Sequence, residues 1–297
     1  MATAIRYQSP TIQPLSLQRI RRARHHFHIK RTGPTRKSMV ITARNAADDL
    51  LSQAAKFTVD NYIKSGMVVG LGSGPASFMV IKYLSRQLKE GLLKDIVGIP
   101  MSVSAASEAA KAGIPLDNHL DTPKTDVAFN DADIVEEDTL AAIIGRPKFQ
   151  GSESVIQAKS ILKATSSLVF IITQMQYTRD IDGSIPVVIR SERWMETAEE
   201  IDDLFLGDAE VWRRSAIGNA GPTGGDFPII TTEGYNILDL IFTSPISNLS
   251  QVAQSLEAVD GVVEHGVICG IPCTAVIASE DGVHTVDNLS ESALRGS

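Results

Sequence analysis

The chain contains 297 residues with a formal net charge of −7, and its two cysteines are Cys269 and Cys273. No apolar run approaches the roughly 20 residues of a membrane-spanning helix, which argues against a membrane as a partner. The cysteine spacing is not the C-x-x-C of a redox pair or zinc knuckle. We therefore expect a reduced compartment, no structural disulfide and no bound metal.

The N-terminal segment differs in charge from the rest of the chain. Before the first acidic residue, Asp48, it holds ten basic residues: Arg6, Arg19, Arg21, Arg22, Arg24, Lys30, Arg31, Arg36, Lys37 and Arg44. An Arg-rich, acid-free composition with many hydroxyls is typical of a transit peptide, and Val40-Ile-Thr-Ala43 resembles a chloroplast processing site. We expect residues 1–44 to be a disordered, cleaved leader and the mature protein to lie in the chloroplast stroma. The alternative is a disordered arm that binds nucleic acid.

The remaining chain is strongly acidic. Without the ten leader bases, 18 of the 28 Lys and Arg residues face 35 Asp and Glu residues, which leaves a net charge of −17. This charge argues against nucleic acid and anionic membrane as partners. About 250 residues suit one or two domains with a large core.

A glycine-rich turn lies between an apolar strand and a helix. Met67 to Leu71 is predicted to be a buried strand, and it leads into Gly70, Gly72 and Gly74 at a spacing of two, followed by Pro75. This order suits a phosphate-binding turn, because glycines let the backbone approach an anion and the N–H groups at a helix start favour negative charge. The alternative is a tight turn that binds nothing, since a short glycine motif is a weak signal.

Strands and helices alternate through the first half of the chain. The pattern predicts helices at 48–63, 102–112 and 154–164, and strands at 67–71, 95–100, 125–130 and 168–172. Continuously apolar strands between helices indicate an α/β fold with a parallel sheet covered on both faces. The ligand site of such a sheet lies beyond the carboxyl ends of its strands. That rule places six residues around one crevice: Ser73, Gly74, Ser102, Ser104, Asp131 and Asp133.

The pattern changes from about residue 184. We expect strands at 186–189, 210–214, 229–232 and 236–241, helices at 194–206 and 248–258, and further strands at 262–263, 266–270, 273–278 and 283–286. The first of these elements indicate a small α+β domain with an antiparallel sheet. Residues 288–297 are expected to form a frayed tail.

The order of these pieces resembles the type A ribose-5-phosphate isomerase family over essentially the whole chain after the leader. The motifs that carry the resemblance are Gly70-Leu-Gly-Ser-Gly74, Ser102-Val-Ser-Ala-Ala-Ser107, Asp131-Ala-Asp133, Asp260-Gly-Val-Val263, Gly266-Val-Ile268 and Glu280-Asp-Gly-Val-His-Thr285. The resemblance implies a Rossmann-like parallel-sheet core at 46–183 plus 264–287. It also implies a smaller α+β ferredoxin-like second domain at 184–263, and a homo-oligomer.

The resemblance further implies an activity. A protein of this kind interconverts D-ribose 5-phosphate and D-ribulose 5-phosphate through an enediol(ate), without a cofactor. With the leader, it is similar to a plastid plant homologue that serves the pentose phosphate pathways, including the Calvin cycle. The implied partner is a small sugar phosphate.

Site residues are carried over from the resemblance position by position. Asp133 is the family carboxylate that is kept in register, Asp131 shares its strand end, and Glu153 is the nearest carboxylate to the helix that supplies the family's base. These three residues are the catalytic candidates. The implied substrate-binding residues are Ser73, Gly74, Ser102, Ser104, Ser107, Gly145 and Arg146.

Several family positions carry other residues here. The position of the family's base is Ala158, and its two lysine positions are Ile144 and Tyr177. Because loss of a general base typically costs 10²–10⁴-fold in rate, two hypotheses stay open. The protein is either an isomerase that has recruited other groups or a homologue that binds a sugar phosphate or a partner protein without catalysis. A nicotinamide dehydrogenase is disfavoured because the turn lacks G-x-G-x-x-G.

Overall fold

The computed structural model describes residues 36–117, 124–146, 155–216 and 227–288. The chain divides into two units, Met1–Ile41 and Thr42–Ser297, and the sheets described below belong to the second. None of the helices described is long and apolar enough to cross a membrane.

Within these residues the chain forms six α-helices and fourteen strands. The helices are α1 (Arg36–Tyr62), α2 (Pro75–Lys89), α3 (Val103–Ala112), α4 (Val155–Ala164), α5 (Trp194–Leu204) and α6 (Leu249–Ala258). The strands are β1 (Val68–Leu71), β2 (Val97–Pro100), β3 (Val127–Asp131), β4 (Ile134–Glu136), β5 (Ala142–Ile143), β6 (Leu168–Thr173), β7 (Tyr177–Thr178), β8 (Ile181–Ile189), β9 (Ala209–Arg213), β10 (Asn236–Ile246), β11 (Val262–His265), β12 (Val267–Ile268), β13 (Cys273–Ser279) and β14 (Gly282–Asn288).

The core is a six-stranded sheet in the order β14-β13-β6-β3-β1-β2. Its strands are parallel except for β14, which pairs antiparallel with β13 at the edge. One face packs against apolar side chains of α1, α2 and α3, and the other packs against α4. Burial on both faces explains the apolar run Leu168 to Ile172 of β6, which the sequence pattern predicted for a parallel sheet in an α/β fold.

The helices beside the crevice begin and end with recognisable capping residues. The hydroxyl of Ser102 accepts a hydrogen bond from the Ala105 N–H at 3.0 Å, which caps α3 at its N-terminus. Gly113 ends the same helix in the left-handed conformation, with a φ of 75°. Pro75 opens α2, where a missing N–H does no harm. These local signals hold the starts of α2 and α3 at the same edge of the sheet.

A second sheet has the order β11-β8-β10-β9, and its neighbours are all antiparallel. In chain order its elements are strand, helix, strand, strand, helix and strand, from β8 through α5 and α6 to β11. This is the ferredoxin-like arrangement that the resemblance implied. Its two helices pack on one face, around the buried side chains Ile201, Leu249 and Leu256.

A third sheet, β12-β5-β4-β7, was not predicted. The sequence pattern predicts no strand between residues 131 and 153, yet this stretch contains β4 and β5, which place Val135 and Ile143 in the interior. Strands of two or three residues are too short for a period-two pattern to reveal. Pairing of β4 with β5 and β7 fixes the conformation of the backbone that follows Asp133.

Two other predictions differ from the structure. The predicted strand at 229–232 is wrong: β10 already pairs with β8 and β9 on its two sides, and Ile230 makes a single bridge to Asn236. Helix α1 begins at Arg36, inside the segment predicted to be an unstructured leader. Residues 1–35 and the expected tail beyond Asn288 lie outside the described residues.

Candidate active site

The carboxyl ends of β1, β2, β3 and β6 meet at one edge of the central sheet. The turn after β1 carries Ser73 and Gly74, the turn after β2 carries Ser102, and β3 ends at Asp131. Four of the predicted site residues therefore belong to neighbouring strand ends. Parallel pairing brings them together, as expected for the ligand crevice of an open α/β sheet.

Asp131 binds the N-terminus of α2. Its Oδ2 accepts a hydrogen bond from the Ala76 N–H at 3.0 Å, and its Oδ1 accepts from the Ser77 N–H at 2.7 Å. The Ser77 hydroxyl also donates to Oδ1, at 2.6 Å. Both carboxylate oxygens are thus held by groups of the turn that was expected to receive a phosphate, and the negative charge complements the helix dipole.

The glycines of this turn give neighbouring groups room. Gly74 has a φ of 124°, and a Cβ added there would overlap the carboxylate of Asp131. A Cβ on Gly72 would overlap the backbone of Phe129 and Asn130. The Asn130 side-chain oxygen in turn accepts a hydrogen bond from the Ser73 N–H at 3.0 Å. The turn is therefore pressed against the end of β3.

Three serine hydroxyls line the start of α3. Ser102 Oγ is hydrogen-bonded to Ser73 Oγ, and it lies 2.9 Å from Ser104 Oγ. Ser102 is buried, whereas Ser73 and Ser104 are half-buried. Ser107 lies exposed one turn further along α3. The hydroxyls of Ser73, Ser102 and Ser104 can exchange donor and acceptor roles, which suits the binding of sugar hydroxyls or phosphate oxygens.

Asp133, directly before β4 of the third sheet, contacts the backbone of Arg146. Asp133 Oδ2 accepts a hydrogen bond from the Arg146 backbone N–H at 2.9 Å. The Arg146 side chain points elsewhere: Nε donates to the carbonyl of Ser184 at 2.8 Å, and Nη2 donates to the carbonyl of Asp182. Burial lowers the pKa of Arg146, while the charges of Asp133 and Asp182 oppose that shift. The guanidinium therefore holds β8 in place.

Gly145 is fixed by a buried ion pair of the second sheet. Arg214 donates from Nη2 to the Gly145 carbonyl at 3.1 Å, and its Nε donates to Asp239 Oδ2 at 2.9 Å. Both side chains are almost fully buried. Gly145 itself has a φ of 82°, which favours glycine. Sequence reasoning missed Arg214 and Asp239, because their contact joins residues far apart in sequence.

Two positions bear on the catalytic base: the candidate Glu153, and Ala158 at the family's base position on α4. Glu153 lies outside the described residues, in the gap between Arg146 and Val155. Ala158 packs half-buried against the core on α4. Next to it, Gln157 Nε2 donates to the Pro100 carbonyl at 2.9 Å, at the carboxyl end of β2. Gln157 therefore borders the crevice with its side-chain amide, whereas Ala158 packs against the core.

Tyr177, at the second family lysine position, does not supply a positive charge. Its hydroxyl donates to the Glu137 carbonyl at 3.2 Å. Burial raises the pKa of the Tyr177 phenol, and the charges of Glu137 and Asp138 add to that increase. The residue thus remains neutral at physiological pH.

Gln176 was not predicted, although it joins two strand ends at the crevice. Its side-chain oxygen accepts a hydrogen bond from the Thr173 N–H at 2.8 Å, and its amide donates to the Ala132 carbonyl at 2.5 Å. The contact ties the end of β6 to the backbone between Asp131 and Asp133. A capping-box spacing, Thr173 to Gln176, was the sequence signal that could have revealed it.

A buried cluster of charged groups anchors α4 to β11. Lys159 is almost fully buried, and its Nζ lies 2.6 Å from Glu264 Oε1 and donates to the His265 carbonyl at 2.9 Å. Glu264 Oε2 lies 3.2 Å from Lys163 Nζ. Burial and the charge of Lys159 lower the pKa of His265 to about 4. The cluster thus holds the neutral imidazole of His265 against the middle of α4.

Comparisons with known proteins agree on one family. The family model for ribose 5-phosphate isomerase A (phosphoriboisomerase A) matches residues 97–282. A ribose-5-phosphate isomerase A of Synechococcus sp. (strain JA-3-3Ab) is 33% identical over 244 residues, which covers 81% of this chain and 98% of the relative. The Arabidopsis thaliana protein named "Probable ribose-5-phosphate isomerase 3, chloroplastic" is 30% identical over 261 residues, covering 85% of this chain and 89% of the relative.

A solved structure agrees with the sequence relatives. The ribose 5-phosphate isomerase from Plasmodium falciparum superposes with a TM-score of 0.72 at 27% identity, over 82% of this chain and 100% of the other. The match includes both the central sheet and the ferredoxin-like sheet, since it spans most of the described chain. The protein is thus a member of the ribose 5-phosphate isomerase A family.

Proposed function

We propose that the chain is an aldose–ketose isomerase that interconverts D-ribose 5-phosphate and D-ribulose 5-phosphate. The observation that carries the proposal is the family match from residue 97 to 282, which includes the strand ends that bear Asp131 and Asp133. A crevice with a carboxylate and several hydroxyls contains the types of group that this reaction needs. No cofactor takes part in the proposed reaction.

The proposed chemistry is a proton transfer between neighbouring carbons. A carboxylate removes the proton from C2 of open-chain ribose 5-phosphate, and the electron pair forms an enediolate whose oxygen is stabilised by hydrogen-bond donors. Return of the proton to C1, with transfer of the hydroxyl proton, completes the ketose. We assign the carboxylate roles to Asp133, Glu153 and Asp131.

The remaining predicted residues are proposed to bind the sugar and its phosphate. The backbone near Gly145 lies next to Asp133, because Arg146 donates its N–H to that carboxylate. The serines at the start of α3 form one connected set of hydroxyls. The proposed binding residues are Ser73, Gly74, Ser102, Ser104, Ser107, Gly145 and Arg146.

A second candidate function is binding without catalysis. Specific observations favour it: Ala158 presents only a methyl group at the family's base position, and Tyr177 is a neutral phenol at a lysine position. Under this alternative the protein binds a sugar phosphate or a partner protein in the same crevice. The fold alone does not distinguish the two functions.

An isomerase assay in parallel with calorimetry separates the two candidates. Protein lacking residues 1–43 is mixed with ribose 5-phosphate, and the formation of ribulose 5-phosphate is followed together with the heat of binding. Turnover well above the uncatalysed rate supports the isomerase. Binding without turnover supports the alternative, and the absence of both contradicts each proposal.

The cellular setting is proposed from the leader and from one relative. A chloroplastic relative and a basic, acid-free N-terminus support cleavage near Ala43 and a plastid location, with a role in the pentose phosphate pathways and the Calvin cycle. Import of the labelled full-length chain into isolated chloroplasts tests this proposal. Shortening to a product that starts near Arg44 is expected, whereas an unprocessed chain outside the organelle would contradict it.

The architecture of the mature protein also remains a proposal. We propose a Rossmann-like isomerase domain at 46–183 plus 264–287, a second domain at 184–263, and assembly into a homo-oligomer. The ferredoxin-like sheet, β8 to β11, runs from Ile181 to His265 and supports this division. Light scattering of the leader-free protein measures the oligomer, and a monomer mass would contradict that part of the proposal.

A further inference from the structure

The start of α2 has few backbone donors to offer a ligand. Pro75 has no N–H group, and the Phe78 N–H already donates to the Gly74 carbonyl at 2.9 Å. The donors between them are the N–H groups of Ala76 and Ser77, and both donate to Asp131. The helix start is thus bound by a carboxylate of the chain itself.

The surroundings fix this carboxylate in place. The Ser77 hydroxyl is fully buried and adds a third hydrogen bond to Asp131, at 2.6 Å. The left-handed φ of Gly74 and its missing Cβ leave the space that the carboxylate fills. Gly74 therefore has an explanation that needs no external anion, since it admits the Asp131 side chain.

A phosphate group and the Asp131 carboxylate compete for the same donors. A phosphate at the Ala76 and Ser77 amides would lie within a few ångströms of a second negative charge, and two like charges at that distance disfavour each other. Sugar hydroxyls carry no charge and can still bind the neutral hydroxyls of Ser73, Ser102 and Ser104, which lie beside the turn. The Asp131 carboxylate thus weakens the binding of the phosphate group more than the binding of the sugar hydroxyls.

We infer that Asp131 is a specificity-determining residue: its carboxylate occupies the anion site of α2 and weakens the affinity of the crevice for phosphate groups. The inference rests on the proposed function, because it takes this crevice as the sugar-phosphate site. Asp131 then sets how tightly phosphorylated and unphosphorylated ligands bind. Removal of its charge opens the α2 donors to an external dianion.

Calorimetry with inorganic phosphate, ribose 5-phosphate and ribose tests the inference on leader-free protein. We expect Asp131→Ala to bind inorganic phosphate and ribose 5-phosphate at least tenfold more tightly than the unchanged protein, with ribose affinity changed less than twofold. Asp131→Asn keeps the side-chain shape and removes the charge, so it should shift phosphate affinity in the same direction. This second variant decides the question if Asp131→Ala does not fold.

The chain offers a matched control at the opposite edge of the sheet. Asp126 Oδ2 accepts a hydrogen bond from the Val68 N–H at 2.8 Å, so Asp126→Asn removes the same charge from a carboxylate with a similar backbone contact, far from the crevice. Its phosphate affinity should equal that of the unchanged protein. Equal or weaker phosphate affinity in both folded Asp131 variants would overturn the inference and leave Asp131 as a helix cap.

The isomerase assay distinguishes this inference from the proposed function. If the Asp131 variants gain phosphate affinity while none of the proteins turns over ribose 5-phosphate, the inference stands and the proposed catalysis fails. If the unchanged protein turns over substrate and phosphate affinity does not rise in the variants, the inference fails and the isomerase remains.

Discussion

The carboxylate of Asp133 accepts the backbone N–H of Arg146 at 2.9 Å, although the two residues stand thirteen positions apart. The contact joins the end of the central sheet to the loop after β5, and Asp133 N donates to the Ile143 carbonyl at 2.8 Å on the same side. Asp133 is therefore held by its backbone and by its side chain. A carboxylate fixed in this way is pre-oriented for proton transfer.

Asp133→Asn should lower kcat/KM for ribose 5-phosphate by 10²–10⁴-fold, the usual contribution of a general base or acid. The amide oxygen can still accept the Arg146 N–H, so we expect the melting temperature to stay close to that of the unchanged protein. Steady-state kinetics and a thermal melt measure the two quantities. Asp126→Asn, at the opposite edge of the sheet, is the control and should leave kcat/KM unchanged. Activity within threefold of the unchanged protein would remove Asp133 from the catalytic set.

Glu153 is the second catalytic prediction. Glu153→Gln should lower kcat at least a hundredfold while leaving the affinity for ribose 5-phosphate nearly unchanged, because a base acts mainly in the transition state. Turnover and calorimetric affinity are measured side by side. Glu199→Gln, an exposed carboxylate on α5, is the control for the loss of one charge. Equal turnover in Glu153→Gln and the unchanged protein would show that the base is another group.

Much of the fold could be predicted from local patterns. The apolar run Leu168 to Ile172 indicated a central strand, and Gly113 marked the end of α3, because each signal is contained in a few adjacent residues. The third sheet could not be predicted in this way. Its strands β4 and β5 owe their stability to pairing with each other and with β7 and β12, which are distant in sequence.

The positions of the candidate site residues in the fold were predictable, but their contacts were not. The rule that ligands bind at strand carboxyl ends placed Ser73, Ser102 and Asp131 correctly at one edge. It could not show that Asp131 turns back onto α2, because that contact depends on the space left by Gly74. Nor could a pattern show that the Arg146 guanidinium binds the carbonyls of β8.

Substitutions at Gly74 and Gly282 distinguish the energetic cost of backbone strain from the cost of displacing the Asp131 side chain. Gly74 and Gly282 have φ angles of 124° and 123°, but a Cβ on Gly282 would meet nothing within 4 Å. Gly282→Ala should cost about 1 kcal/mol in free energy of unfolding, from the left-handed backbone alone. Gly74→Ala should cost at least about 2 kcal/mol more, because its Cβ displaces a carboxylate that accepts three hydrogen bonds. Urea unfolding measures both, and equal costs would contradict the tight fit.

The buried ion pair between Lys159 and Glu264 should contribute far more to the free energy of unfolding than the more exposed pair between Lys163 and Glu264. Lys159→Met leaves Glu264 without its closer partner in a largely buried position, and we expect a loss of about 3 kcal/mol in free energy of unfolding. Lys163→Met removes a half-exposed partner of the same carboxylate and should cost no more than about 1 kcal/mol. Chemical unfolding at pH 7 gives both values. Comparable losses in the two variants would show that burial of Lys159 adds nothing.

His265 should make the fold sensitive to mildly acidic pH. Its Nδ1 lies 3.2 Å from the Val267 N–H and 3.1 Å from Lys159 Nζ, both of which are donors, and its Nε2 lies 3.4 Å from Glu257 Oε1. Burial and the nearby charge of Lys159 lower the pKa of His265 to about 4, although Glu264 and Glu257 oppose the shift. In the unfolded chain His265 therefore gains a proton near pH 6.5, whereas in the folded chain it gains this proton only near pH 4.

Because the pKa is lowered on folding, the contribution of His265 is fully present above pH 6.5 and is lost as the pH falls towards 4. A shift from 6.5 to about 4 corresponds to about 3 kcal/mol in all, of which about 2 kcal/mol should be lost between pH 7 and pH 5. His265→Gln should lose correspondingly less free energy of unfolding over that interval. His284→Gln, which changes an exposed histidine, should follow the unchanged protein. Urea unfolding at the two pH values measures the difference, and identical pH dependence in all three proteins would show that His265 titrates alike in the folded and unfolded chains.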